Sequence, residues 1–140
     1  MSKFKKILFG GLALGGLAAV YAVTRRKDTV SIVLKENLTE GYLWNSIIET
    51  DGVVKEISTD YVPAFADSET EDAYGEHKWT FAPVAAGETL VHFSYIRPWK
   101  SDEQPVATAV YKMTVDSQRK LAVELVECSE SFKRYPLSVG

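Results

Sequence analysis

The pattern of apolar positions changes once along the chain. Ile7 to Val23 is an unbroken run of 17 residues without a charge, and from Thr29 onward apolar residues come in short alternating runs. A period of two places every second side chain on one face of an extended strand, so alternation predicts strands with one buried face. Val30, Ile32 and Leu34 alternate with Ser31 and Val33. Trp44, Ser46 and Ile48 face opposite to Asn45 and Ile47. Trp79 and Phe81 alternate with Lys78 and Thr80, and Val91, Phe93 and Tyr95 alternate with His92 and Ser94. Ala107, Ala109, Tyr111, Met113 and Val115 line one face of a long strand, and Leu121, Val123 and Leu125 line one face of the last. Val53 to Ile57 adds a further short apolar run after the Asp51-Gly52 turn.

Turn-forming residues separate these runs, at Asn37 to Gly41, the acidic stretch Asp67 to Gly75, Ala86-Gly87, Arg97-Pro98 and Asp116 to Lys120. No helical amphipathic window of useful length interrupts them. Seven or eight short strands in about 100 residues predict an all-β chain, an antiparallel β-sandwich of immunoglobulin-like architecture. The Cys…Trp…Cys pattern of antibody domains is missing, since the chain has one cysteine. Residues after Glu127 lack the pattern and are expected as a loosely held tail. The organisation expected is therefore a leading segment 1–27, a globular domain 28–127 and a C-terminal tail 128–140.

The leading run would make an N-terminal hydrophobic helix about 26 Å long, near the lower limit for crossing a bilayer. Lys3, Lys5 and Lys6 precede it, and Arg25, Arg26 and Lys27 follow it. One reading is a secretory signal cleaved after Ala22. The other is a retained anchor inserted through residues 7–23, with Arg25–Lys27 at the headgroups. Its length and the bases that follow at once favour the anchor. A buried core helix would need burial on every side, which so small a domain does not supply. Either reading makes the protein membrane-anchored or secreted, with its globular part extracytoplasmic.

Charge sharpens the picture. The formal net charge of −3 averages two unlike parts. Residues 1–27 hold six bases and no acid, whereas residues 28–140 hold ten bases against nineteen acids, a net −9. So acidic a domain repels phosphates, and nucleic acid is not an expected partner. A single cysteine gives no disulfide framework and no zinc finger. A monomer is expected.

Catalytic groups are scarce. His92 falls on the polar face of a strand, and His77 falls in a predicted loop beside Glu76 with no nucleophile aimed at it. Cys128 has no surrounding motif. Asp67, Glu69, Glu71 and Asp72 lack calcium-loop spacing. No enzyme activity, cofactor or metal is expected. Three segments instead pair glycine or proline with tryptophan: Asn37 to Trp44, Gly75 to Phe81, and Arg97-Pro98-Trp99-Lys100. Trp44 and Trp79 lie in alternating runs and are expected in the core. Trp99 lies in a polar loop, where a rigid aromatic beside an arginine suits a binding hot spot.

These three segments, in order and in register, resemble the chagasin-like family of inhibitors of papain-like cysteine peptidases. Its first loop reads roughly Asn-Pro-Thr-Thr-Gly-Tyr-x-Trp. Asn37, Thr39, Gly41, Tyr42 and Trp44 match, while Leu38 replaces the proline and Glu40 the second threonine. Gly75, Trp79 and Phe81 match the second motif, although Asp72, Ala73 and Tyr74 stand where more glycine is usual. Arg97-Pro98-Trp99 is intact, and the likeness covers about residues 29–115. The resemblance implies a sandwich whose three loops cluster at one end and wedge into a peptidase cleft. It implies a papain-like cysteine peptidase as partner, inhibited reversibly and without a covalent bond. The contact residues implied are Asn37, Thr39, Glu40, Gly41, Tyr42, Tyr74, Gly75, Arg97, Pro98 and Trp99. The rival expectation is a membrane-tethered adhesion module on the same sandwich, without inhibitory activity.

Overall fold

The computed structural model describes residues 27–37, 40–63 and 74–140. The segment 7–23, with its expected helix, lies outside them. Among the described residues are eight strands: β1 (Val30–Glu36), β2 (Leu43–Ile48), β3 (Val54–Val62), β4 (Gly75–Pro83), β5 (Gly87–Ile96), β6 (Ala107–Val115), β7 (Leu121–Cys128) and β8 (Pro136–Val139). They form two four-stranded sheets, ordered β3-β4-β1-β8 and β2-β5-β6-β7. Every pairing is antiparallel.

Alternation in the sequence becomes the two inner faces. In β1 burial alternates without a break, Val30, Ile32 and Leu34 inward and Ser31, Val33 and Lys35 outward. β5 and β6 repeat the pattern. Each fully buried Val, Ile or Leu side chain contributes about 1.5–3 kcal/mol relative to exposure. Aromatic rings bridge the layers. Trp79 of β4 meets Phe93 of β5 edge to face at 4.9 Å, and Phe93 meets Tyr111 of β6 at 5.7 Å. Both Trp44 and Trp79 are buried at 3% exposure, as their alternating runs predict. β3 is a sheet edge and exposes most of its length, so it has no strict period to show.

The residues beyond Glu127 correct the expectation of a loose tail. A 3-10 helix, Glu130–Arg134, follows β7, and β8 then pairs with β1. Phe132 is 0% exposed and joins the core with Tyr135. The Lys35 N–H donates to the Tyr135 carbonyl at 2.8 Å, which ties this connection to β1. These last residues complete a sheet. A second correction concerns His77, expected in a loop. It lies inside β4, opposite Leu34 of β1.

The strand ends that flank three connections lie at one end of the sandwich. The first runs from Glu36 of β1 to Leu43 of β2, and the second joins Val62 of β3 to Gly75 of β4. The third joins Ile96 of β5 to Ala107 of β6. The register pairs Glu36 with Gly75 and Leu43 with Ile96, so these strand ends lie side by side. The start of the described chain is at the other end, where Lys27 and Leu121 exchange backbone hydrogen bonds of 2.9 and 2.7 Å.

Candidate functional site: the loop-bearing end

The Arg97–Glu103 loop is built from two successive turns. The Lys100 N–H donates to the Arg97 carbonyl at 3.0 Å, with Pro98 second in the turn, where its fixed φ fits. The Glu103 N–H then donates to the Lys100 carbonyl at 3.1 Å. This doubling carries the Glu103 carboxylate back to Arg97. Arg97 Nε donates to Oε1 at 2.8 Å, and Nη2 donates to Oε2 in a two-pronged pair. The hydrogen bond from Arg97 holds the Glu103 carboxyl below its ordinary value, and Glu103 raises that of the guanidinium. Both side chains are partly exposed, so solvent screens the attraction and geometry is the pair's main contribution.

Trp99 projects from this double turn at 64% exposure. Its ring lies over Gly41. A Cβ built on Gly41 would stand 2.4 Å from Trp99 Cη2 and 3.0 Å from Cζ2. Gly41 also has φ of +85°, a backbone state that side chains rarely adopt. One glycine thus meets two demands, a left-handed turn and a seat for the indole. Beside it the Arg97 guanidinium stands 5.1 Å from the centre of the Tyr42 ring, a cation–π contact. The first and third loops are joined twice through side chains.

Aromatic rings support this surface from beneath. Tyr42 stacks on Tyr95 at 5.3 Å, and Tyr95 stacks on Trp44 at 4.6 Å. Tyr135 sits edge-on to Trp44 at 5.4 Å and to Tyr74 at 6.2 Å, so the C-terminal connection props both the first and second loops. The Tyr95 hydroxyl accepts the Asn37 N–H at 2.8 Å. Burial pushes its pKa far up, so it remains a neutral hydroxyl. The Trp44 indole N–H donates to the Lys35 carbonyl at 2.8 Å.

The residues singled out in the sequence divide into two groups. Glu40, Pro98 and Trp99 are exposed, and Gly41, Tyr42, Tyr74 and Arg97 are half-buried around them. Asn37 and Gly75 are buried. Gly75 begins β4 under Tyr61, where an added Cβ would meet Tyr61 Oη at 2.5 Å and the Val62 carbonyl at 2.6 Å. It allows close approach of the backbone. Thr39 lies outside the described residues, as do 64–73 of the second connection.

Three contributors went unnoticed in the sequence: Glu36, Glu103 and Tyr135. Glu36 left a signal, a carboxylate in the inward register after Val30, Ile32 and Leu34. Glu103 and Tyr135 left none, because turns and a 3-10 helix have no period of two.

The match to "Chagasin family peptidase inhibitor I42" spans residues 24–115, more than half of the chain. Amoebiasin-2 of Entamoeba histolytica is 23% identical over 120 residues, 78% of this chain and 96% of its own. The crystal structure of the cysteine protease inhibitor EhICP2, from the same organism, superposes with a TM-score of 0.54 at 22% identity. It covers 61% of this chain and 77% of that one. At that identity the likeness is one of fold. With the loop motifs in register on a two-sheet sandwich, the chain belongs to the chagasin family of peptidase inhibitors and is not an enzyme.

Proposed function

We propose that the chain is a reversible, non-covalent inhibitor of papain-like cysteine peptidases that blocks the active-site cleft with the three loops at one end of an immunoglobulin-like sandwich. The observation that carries this reading is Trp99, exposed yet seated on Gly41 of another loop. An apolar ring held in solvent by a rigid seat loses little freedom on binding and offers a large contact. Arg97 keeps donors near the same surface while Glu103 fixes its orientation. Glu40 is exposed beside Gly41 and adds a carboxylate to the contact. Family membership, with EhICP2 a cysteine protease inhibitor of similar fold, supports the same target class.

Titration of papain by the chain tests the reading. Inhibition should be competitive and should vanish on dilution, with the inhibitor recovered uncleaved. Full activity at a large excess of inhibitor would contradict it and would favour an adhesion module. We also propose that the protein acts as a monomer held at a membrane by residues 7–23, its globular domain outside the cytoplasm. N-terminal sequencing of the mature protein tests retention. A first residue near Val23 would show cleavage instead.

A further inference from the structure

Glu36 occupies the fourth inward position of β1, after Val30, Ile32 and Leu34, and is 1% exposed. A carboxylate in such a place is costly unless its oxygens are matched by donors. Both are matched. Oε2 accepts the backbone N–H of Trp44 at 2.6 Å. Oε1 lies 2.9 Å from His77 Nδ1, which donates to it in the tautomer that carries its proton there. His77 is itself fixed. Its Nε2 meets the Thr59 hydroxyl at 2.6 Å, and its ring stacks on Trp79 at 3.9 Å with 7° between planes.

The placement of these partners gives the carboxylate a further role. Glu36 and Trp44 are the roots of the first loop, one in each sheet. β2 is a sheet edge, so the hydrogen bond to Trp44 adds a tie across the layers at the root of that loop. His77 stands two residues into β4 from Gly75, where the second connection ends. One side chain therefore ties both roots of the first loop to the root of the second.

We propose that Glu36 is a positioning residue for peptidase binding. It holds the Gly41–Tyr42 turn at the height at which Trp99 and Arg97 can seat on it, and it keeps the first two loops in one register. This inference rests on the reading of the loops as the peptidase contact.

Two substitutions separate positioning from folding. Glu36→Leu continues the apolar row of β1 but removes both acceptors, and Glu36→Gln keeps an acceptor for Trp44. Each is made in the full chain. The readouts are the papain inhibition constant, the melting temperature and hydrogen exchange at the Trp44 amide. Glu36→Gln should inhibit within about threefold of the parent. Glu36→Leu, folded at the assay temperature, should inhibit at least about tenfold more weakly and exchange its Trp44 amide faster, as loss of a buried hydrogen bond requires. If Glu36→Leu does not fold, His77→Phe carries the test. It keeps a ring on Trp79, leaves Oε1 unmatched, and should weaken inhibition relative to the parent. Inhibition by Glu36→Leu, or in that case by His77→Phe, equal to the parent's would overturn the proposal, as would Glu36→Gln failing as badly as Glu36→Leu. If the parent itself does not inhibit papain, the reading of the loops falls. The tie is then judged by exchange alone, and an unchanged Trp44 amide in Glu36→Leu would overturn it.

Discussion

Trp79 packs edge-on to Phe93 inside the sandwich, whereas Trp99 stands in solvent against Gly41. Trp79→Ala should therefore lose about 3–5 kcal/mol of stability, the usual cost of emptying a large buried aromatic site. Trp99→Ala should change stability by no more than about 0.5 kcal/mol and weaken inhibition by at least about 2 kcal/mol, roughly thirtyfold. Thermal unfolding beside inhibition constants checks both. Gly41→Ala should also weaken inhibition, by roughly tenfold or more, because its methyl occupies the seat of the indole and strains the turn. Loop order has a pH limit set by Glu103. Its folded-state carboxyl lies below the ordinary 4.5. The Arg97 tie is thus fully present above 4.5, persists as pH falls to the folded value, and is lost below it. A pH titration followed at the Arg97 Nε–H by NMR should show that signal steady down to 4.5 and altered only further into acid. The division of the tryptophans was legible in the sequence because Trp79 sits in an alternating run and Trp99 among turn residues. The return of Glu103 to Arg97 was not, because a double turn leaves no periodic trace.

At the scale of elements, β1, β5, β6 and β7 announce themselves through alternation because each has one inner and one outer face. β4 hid its start. Gly75-Glu76 reads as turn chemistry, yet Gly75 is in the strand because only a residue without a Cβ fits under Tyr61. β8 hid entirely, since four residues are too few to show a period and the 3-10 helix before it has none. Its contribution is nevertheless large. Phe132 and Tyr135 fill the core beside Trp44, and β8 covers the edge of β1. Removing residues 129–140 should strip two buried aromatics and a strand, costing about 5 kcal/mol or more. That is comparable to the stability of many domains, so the truncated chain should melt early or fail to fold. Circular dichroism across a thermal ramp checks this. A truncated chain as stable as the parent would restore the loose tail.

At the scale of the molecule, the two sheets place the strand ends that flank three loops at one end and the first described residue, Lys27 paired with Leu121, at the other. The proposed contact surface draws on segments distant in sequence, joined by Gly41 under Trp99, Tyr42 under Arg97 and Glu36 between Trp44 and His77. Its ingredients were legible as motifs, but the contacts that make them one surface belong to the sandwich. The most direct test is the inhibition of papain by the parent chain and by Trp99→Ala in the same assay. The parent should inhibit reversibly and competitively, and inhibition should be weakened roughly thirtyfold or more in a Trp99→Ala protein that melts at the parent's temperature. A parent that leaves papain fully active, or a folded Trp99→Ala that inhibits as well as the parent, would contradict the proposed function.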